Sequence, residues 1–279
     1  METVVTGKGT EVRFGLNLPT VIIAERINPT GRKSLADELK HGKFNIVRED
    51  AVKQTKAGAH IIDINVGAVG VDEVDILPKA VKTVMEVTGQ PLCLDSANPK
   101  ALEAALKVYP YKALINSVNG KEKSLEEILP MIKDSGSAVI CLTMDDNGIP
   151  DNVEERFEIA RKIIKRAEAI GIKKEDLVFD CLVMANATNS NSAKITLETQ
   201  RKVAREFGVS ITGGYSNVSF GMPDRELLNI HFITMGIVNC LCAPIVDPLT
   251  SGISEAIKAA DFLAGRDPYG IKYISYYRK

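Results

Sequence analysis

The 279-residue chain has no tryptophan, only three histidines and no excess of either charge, with 35 Lys and Arg against 36 Asp and Glu. This balance argues against a nucleic-acid partner, because phosphate contacts need a surplus of basic side chains. No apolar run approaches the ~20 residues of a membrane span. The first residues also lack the apolar segment of a signal peptide. We therefore expect a cytoplasmic protein without a membrane or nucleic-acid partner.

The cysteines do not indicate a disulfide framework, because there are five of them, an odd number, and most lie inside apolar runs. Cys240 and Cys242 would share one face of a strand, and no second pair has the spacing of a zinc site. Core thiols are the better interpretation, so we expect neither a disulfide scaffold nor a protein-bound metal.

One unit repeats along the chain: a short apolar run, a polar break and a stretch of helical periodicity. The eight apolar runs are Val21–Arg26, His60–Val66, Pro91–Asp95, Ala113–Val118, Ala138–Met144, Leu177–Leu182, Val209–Asn217 and Cys240–Asp247. Eight such units predict a single-domain (β/α)8 TIM barrel over residues 21–265, with an N-terminal extension at 1–20 and a tail at 266–279. A doubly wound open sheet is the alternative, although it often has a glycine-rich first turn that is absent here.

Polar side chains recur where the apolar runs end, which in a barrel of this type is the catalytic face. The residues are Glu25, Asn28, Asp63, Asn65, Asp95, Ser96, Asn116, Ser117, Asp145, Asp180, Ser216, Asn217 and Asp247. Any one of them could be a cap or turn residue. A full ring of them favours a functional site.

The residue types in this ring narrow the chemistry. No lysine ends a strand, which argues against Schiff-base catalysis, and Ser216 lacks both a nucleophile elbow and a histidine to activate it. Carboxylates accept paired N–H bonds from an amidine-like edge, and asparagine both donates and accepts. The ring therefore suits a neutral heterocycle such as a pterin, with a Mg²⁺ site as the alternative.

Five motifs stand in barrel order at these strand ends: Glu25-Arg26-Ile27-Asn28, Asp63-Ile64-Asn65-Val66-Gly67, Leu94-Asp95-Ser96, Ile115-Asn116-Ser117 and Ser216-Asn217-Val218-Ser219-Phe220-Gly221. Over roughly residues 20–265 the chain resembles the pterin-binding methyltransferase family. That family includes the folate domain of cobalamin-dependent methionine synthase and the methyltetrahydrofolate:corrinoid protein methyltransferases. The resemblance implies that Asp95, Asn116 and Asp180 hold the pterin, with Asp63 and Asn65 lining the same floor.

The resemblance also implies roles on the other strands. Asn217 would be the catalytic residue that approaches N5, where the methyl group sits, while Ser216 and Arg225 would shape the pocket or the path to the corrinoid. Glu25 and Asn28 are expected to support the pocket. For Glu25, a structural salt bridge with the next residue or another barrel arginine is an open alternative, because buried charges are normally paired.

The implied reaction moves a methyl group between N5 of tetrahydrofolate and the cobalt of a corrinoid, in either direction. The methyl leaves N5 poorly unless N5 is protonated or hydrogen-bonded as the C–N bond breaks. Asn217 cannot supply that proton, but it can stabilise a protonated N5. We expect the corrinoid on a partner protein, since no cobalamin domain is expected after residue 265, and we expect a homodimer as in this family.

The sequence departs from the family at two points, and two alternative functions stay open. Phe220 stands where some relatives have a polar residue, which leaves the corrinoid partner and direction open, and the zinc cysteines for homocysteine are absent. A dihydropteroate synthase-like enzyme shares the implied fold, but its first loop is not found, and no basic group for a pyrophosphate follows the seventh strand except Arg225. A non-catalytic folate-binding subunit would carry the same binding residues.

Overall fold

Eight parallel strands close into a barrel in the computed structural model, which describes residues 1–278. The ten strands in chain order are β1 Glu2–Gly7, β2 Thr10–Gly15, β3 Ile23–Ile27, β4 Ile61–Asn65, β5 Leu92–Asp95, β6 Leu114–Asn119, β7 Ala138–Leu142, β8 Leu177–Asp180, β9 Ser210–Gly214 and β10 Ala243–Val246. Strands β3 to β10 follow one another around the barrel, which closes where β10 pairs with β3. The predicted (β/α)8 fold is confirmed, and each predicted strand overlaps an observed one.

Helices surround the barrel and connect its strands. They are α1 Lys33–Lys40, α2 Asn45–Lys56, α3 Glu73–Val87, α4 Pro99–Leu106, α5 Glu122–Ser135, α6 Val153–Ala169, α7 Ser192–Phe207, α8 Arg225–Val238, α9 Ile253–Leu263 and α10 Ile271–Tyr277. Local signals set several ends: the Asn98 side chain caps α4 ahead of Pro99, and Gly136 ends α5 in the left-handed conformation. No helix within residues 1–278 is long and apolar enough to span a bilayer.

The inward face of the barrel has two levels, because side chains alternate along each strand. At the amino ends of the strands, apolar side chains join those of the β1–β2 hairpin in a buried cluster, here called the floor: Val5, Val12, Phe14, Val21, Ile23, Ile61, Cys93, Leu114, Ala138, Ile140, Val178, Cys242, Ala243 and Ile245. The next inward positions, two residues further along five strands, are Glu25, Asp63, Asp95, Asn116 and Asp180. Strand geometry thus sets a polar level, here called the mouth, directly above the apolar floor.

The β1–β2 hairpin seals the amino-terminal end of the barrel. Thr3 Oγ1 donates to Ser210 Oγ at 2.9 Å, and the Lys112 amide donates to Thr6 Oγ1 at 2.9 Å. A Cβ at Gly7 would lie 2.4 Å from a backbone carbonyl oxygen of the loop before β5, so only glycine allows this approach. Residues 1–20 therefore pack onto the barrel, while the domain boundaries themselves stay a prediction.

Candidate functional site

Two clefts open on opposite sides of the mouth. The Asp95 cleft, of about 500 Å³, lies at the ends of β5 to β7 and is lined by Asp95, Ser96, Asn116, Ser117, Asn119 and Lys121 among others. The Glu25 cleft, of about 710 Å³, lies at the ends of β3, β9 and β10 and is lined by Glu25, Asn28, Ser216, Asn217, Arg225 and Asp247 among others. Both volumes are typical of small-molecule sites.

Strand register places Asn65, Asp95 and Asn116 at one level. Asn65 on β4 is the cross-strand partner of Asp95 on β5, which in turn is the partner of Asn116 on β6. Asn65 Nδ2 donates to Asp95 Oδ2 at 2.9 Å, and Asn65 Oδ1 accepts from the Gly67 amide at 2.8 Å. Because both ends of the Asn65 amide are engaged, the Asp95 carboxyl is held in a defined orientation.

Asp63 lies buried beside this row. Burial, reinforced by the neighbouring Asp95 carboxylate, raises the pKa of Asp63 well above its usual range. Burial also raises the pKa of Asp95 to about 6, against the lowering effect of the Asn65 hydrogen bond. Asp63 Oδ1 has no hydrogen-bond partner among residues 1–278. The mouth therefore holds acidic groups that need a proton or a ligand with N–H donors.

Asp180 ends β8 and is also buried. Its Oδ1 accepts from the Leu182 amide at 2.7 Å, and burial raises its pKa to about 6. The loop after it is braced by Arg156 of α6, which is only 1% exposed and donates to the Cys181 and Leu182 carbonyl oxygens at 2.6 and 2.9 Å. The sequence analysis missed Arg156, although its place on the buried stripe of α6, four residues before Ala160, was a signal.

Asn217 faces the Glu25 cleft from a 3₁₀ turn, Tyr215–Ser219, that follows β9. The turn is anchored by the fully buried Tyr215, whose hydroxyl donates to Gln200 Oε1 at 2.5 Å. A Cβ at Gly214 would stand 3.0 Å from Asn217 Nδ2, so the absence of a side chain there makes room for the carboxamide. The half-buried side chain of Asn217 therefore lines the edge of the cleft, beside Gly214.

Arg225, at the start of α8, braces the same turn. Its Nε donates to Ser219 Oγ and its Nη2 to the Ser216 carbonyl oxygen, both at 3.0 Å. The guanidinium also lies 4.4 Å from the centre of the Phe220 ring. These contacts hold the turn that carries Asn217, and the part of Arg225 in shaping the pocket stays a prediction.

The Glu25 carboxyl accepts a hydrogen bond from Ser216 Oγ at 2.9 Å, across the cleft from β3 to the β9 turn. The alternative of a salt bridge with Arg26 is wrong, because that guanidinium donates to Asp50 at 3.1 Å and Asp247 at 2.8 Å. Burial raises the pKa of Glu25 to about 7, with the Ser216 hydrogen bond opposing the shift. Glu25 is therefore a half-buried carboxyl that a hydrogen bond links to the turn after β9.

Asn28 shapes the loop between β3 and α1. Its Oδ1 accepts from the Thr30 amide at 2.9 Å, a local turn contact. Arg32 in the same loop donates to Asp50 at 2.6 Å and also to the Arg26 carbonyl oxygen. The pattern of strand ends could not identify Asp50, because it lies within α2 and reaches the loop only through the fold.

The arrangement suits a pterin better than a cation. Within the described part of the chain, no three His, Cys, Asp or Glu side chains come together as a metal-binding group. Asp95 accepts a hydrogen bond from the Asn65 amide, and Asp63 interacts with the Asn116 amide and the Cys93 thiol. The Oδ1 atom of Asp63 has no partner within residues 1–278. The guanidine-like edge of a pterin offers the N–H donors that such buried oxygens lack.

Comparison with known proteins decides the family. The sequence pattern described as "pterin binding enzyme" matches residues 24–247, most of the chain. The chain belongs to the pterin binding enzymes. The resemblance carried by the strand-end motifs is confirmed, as is the prediction that the chain is an enzyme.

Relatives of this pterin binding enzyme carry more specific names. It is 31% identical over 267 residues to a methylcorrinoid:tetrahydrofolate methyltransferase of Eubacterium limosum, covering 93% of this chain and 96% of the relative. It is 28% identical over 237 residues to methionine synthase of Mycobacterium leprae, covering 80% of this chain but only 20% of that protein. A Yersinia pestis dihydropteroate synthase structure with a pterine-sulfa conjugate matches at a TM-score of 0.68, with 17% identity and coverage of 95% and 100%. At that identity the match shows the fold alone.

Proposed function

We propose that this enzyme transfers a methyl group between N5 of tetrahydrofolate and the cobalt of a corrinoid carried by a partner protein. The observation that carries the proposal is the division of the mouth. Asp95 of β5 and Asn116 of β6 line one cleft, with Asn65 of β4 hydrogen-bonded to Asp95, and Asn217 lines the other cleft. A relative named for this transfer, alike over nearly the whole of both chains, supports it.

The pterin ring would lie between the two clefts. Asp95 and Asp180, whose pKa values of about 6 leave them mostly ionised at neutral pH, would accept the N–H bonds of the 2-amino and N3 edge. Asn116 would pair with the adjacent amide-like atoms of the ring. The unpartnered oxygen of Asp63 supports this placement, because a buried acceptor is costly until a donor reaches it.

Asn217 would act on N5. Its carboxamide can hydrogen-bond the nitrogen more strongly as the C–N bond breaks and charge develops there. The corrinoid supplies the cobalt centre that takes the methyl group, or gives it in the reverse direction. The residues of this chain would bind the pterin, orient N5 and exclude water, and the same contacts serve both directions.

A turnover assay tests the proposal. Purified protein is mixed with methyltetrahydrofolate and chemically reduced cobalamin, then with tetrahydrofolate and methylcobalamin, and the corrin absorbance is followed. We expect methyl exchange that depends on the protein in at least one direction. Folate binding without exchange in either direction would favour a folate-binding subunit. Condensation of a pterin pyrophosphate with 4-aminobenzoate would favour a dihydropteroate synthase.

The partner and assembly are also proposals. A corrinoid protein as partner follows from the proposed reaction, and a homodimer follows from the family resemblance. Sedimentation velocity of the purified chain measures the second: a species of one chain mass at micromolar concentration would contradict it. The cytoplasmic location stays a prediction.

A further inference from the structure

The turn after β9, Tyr215–Ser219, is held from two sides. On the side of the Glu25 cleft, Ser216 Oγ donates to Glu25 at 2.9 Å, and Arg225 donates to the Ser216 carbonyl oxygen at 3.0 Å. On the opposite side, the first residue of the turn points into the protein interior. Asn217 is the third of the five residues, so the backbone of this turn sets the place of its carboxamide.

Tyr215 fills the space between the turn and α8. Its side chain is fully buried, and its ring centre lies 4.7 Å from that of Phe232 on α8. A Cβ at Gly236, one turn further along α8, would lie only 2.5 Å from the Tyr215 hydroxyl oxygen, so only glycine lets the helix pass this closely. Close packing of this kind leaves the ring little freedom to shift.

Gln200 of α7 completes the buried contacts of the turn. Its side chain is 1% exposed, and its Oε1 accepts from the Tyr215 hydroxyl at 2.5 Å. Its Nε2 donates to the Gly236 carbonyl oxygen at 3.0 Å and to the Asn239 carbonyl oxygen at 2.9 Å. Both N–H donors of the amide are therefore used. These four residues, here called the Gln200 network, join α7, the end of α8 and the turn after β9.

The polar character of this network asks for an explanation beyond stability. Apolar side chains of the same shape could fill the space at little cost, because a buried hydrogen bond adds only a modest net free energy. A fully bonded buried network does, however, fix one arrangement of the groups that it joins. Orientation is what Asn217 needs, since a displacement of about 1 Å between reacting groups can cost about 100-fold in rate.

Resting on the proposed function, we propose that Gln200 and Tyr215 are positioning residues for methyl transfer, which fix the turn after β9 so that the Asn217 carboxamide meets N5 of the folate. Neither side chain lines the Asp95 cleft or the Glu25 cleft. Their effect on the rate should therefore pass through Asn217, and it should vanish when the Asn217 carboxamide is absent. A side chain that served only the stability of the barrel would show no such dependence.

The kinetic test uses Tyr215→Phe, which removes the hydroxyl group alone. Single-turnover transfer from methyltetrahydrofolate to reduced cobalamin is measured with both substrates saturating. The variant should be slower by about 10- to 100-fold, with tetrahydrofolate affinity changed by no more than a few-fold. In an Asn217→Ala background, the same substitution should change the rate by less than about two-fold. A full rate in Tyr215→Phe, or equal slowing in both backgrounds, would overturn the proposal.

Two further variants control this test. Tyr109→Phe also removes the hydroxyl of a buried tyrosine, which donates to the Thr6 carbonyl oxygen at 2.7 Å near the amino ends of the strands, and it should keep the full rate. Gln200→Met removes the other half of the hydrogen bond and should slow transfer only when the Asn217 carboxamide is present. Slowing of Tyr109→Phe to the same extent as Tyr215→Phe would contradict a role confined to the turn.

A second measurement does not depend on turnover. Hydrogen–deuterium exchange of the backbone amides of residues 215–219 is followed in the ligand-free protein. Exchange should be faster in Tyr215→Phe and in Gln200→Met, and unchanged in Tyr109→Phe, because only the first two variants release the turn. Unchanged exchange in all three would overturn the positioning role alone. Absence of transfer by the unaltered protein, with faster exchange in the two variants, would overturn the proposed function instead.

Discussion

The floor and the mouth of the barrel use the inward faces of the same strands, yet their chemistry is opposite. Ile23, Ile61 and Cys93 lie in the floor, and two residues further along the same strands stand Glu25, Asp63 and Asp95. The floor is closed by the hairpin and consists of apolar side chains, with the Thr3–Ser210 hydrogen bond buried beside them. The mouth is open through two clefts, and burial raises the pKa of each of its four acids.

The two levels differ in what they contribute to the free energy of folding. Apolar burial in the floor stabilises the barrel, and it offsets the cost of holding carboxyls away from water in the mouth. Substitutions in the floor should therefore lower stability and spare ligand affinity. Substitutions in the mouth should do the reverse, which makes the comparison testable from both sides.

The largest effect is expected from Phe14→Ala in the floor. Phe14 is fully buried between the hairpin and the barrel, so its removal leaves a cavity and should lower the free energy of unfolding by about 3–5 kcal/mol. Urea denaturation measures the loss. Tetrahydrofolate affinity, measured below the unfolding transition, should change by no more than a few-fold. A large loss of affinity would show that the floor and the mouth do not contribute separately to stability and binding.

Next comes Asn217→Ala in the mouth. Under the proposed function, losing a hydrogen bond to N5 that strengthens only in the transition state should slow methyl transfer by about 100- to 1,000-fold, with little change in stability or folate affinity. Stopped-flow corrin absorbance under saturation measures the rate. Asn147→Ala, on an exposed loop, is the matched control. An unchanged rate in Asn217→Ala would remove that residue from the chemical step.

Asp95→Ala should act on binding rather than on rate. It strands the N–H donors of the pterin and should weaken tetrahydrofolate binding by about 1–3 kcal/mol. Its stability should not fall, because the neighbouring Asp63 loses a like charge. Optical titration is favoured by the lack of tryptophan in the chain. Retained affinity together with lowered stability would place Asp95 with the floor.

The smallest effect concerns pH. The pKa of Asp180 is raised to about 6 from 3.8, so its stabilising contribution is full below 3.8 and is lost as pH rises through about 6. The Asp180→Asn variant has no carboxyl at this position, so it does not lose stability as pH rises in this way. Its advantage in unfolding free energy over the unaltered protein should therefore grow by about 1 kcal/mol between roughly pH 5 and pH 8. A constant difference across that range would mean that Asp180 titrates normally.

The fold could be predicted from the chain because its signals are local. Continuous apolar runs such as Ala138–Leu142, and helix ends such as Asn98 and Gly136, mark each unit without knowledge of its neighbours. The β1–β2 hairpin was treated only as an extension, since its role depends on the open barrel end that it fills.

Residue types at strand ends were enough to indicate a pterin-like ligand, because strand alternation brings every such residue to one end of the barrel. The sequence could not predict which polar side chains pair with each other. That Arg26 pairs with Asp50 and Asp247, leaving Glu25 to Ser216, depends on contacts between groups 24 to 221 positions apart. Local periodicity carries no information on such pairs, since only chain folding brings them within hydrogen-bond distance and away from the water that would otherwise keep their pKa values ordinary.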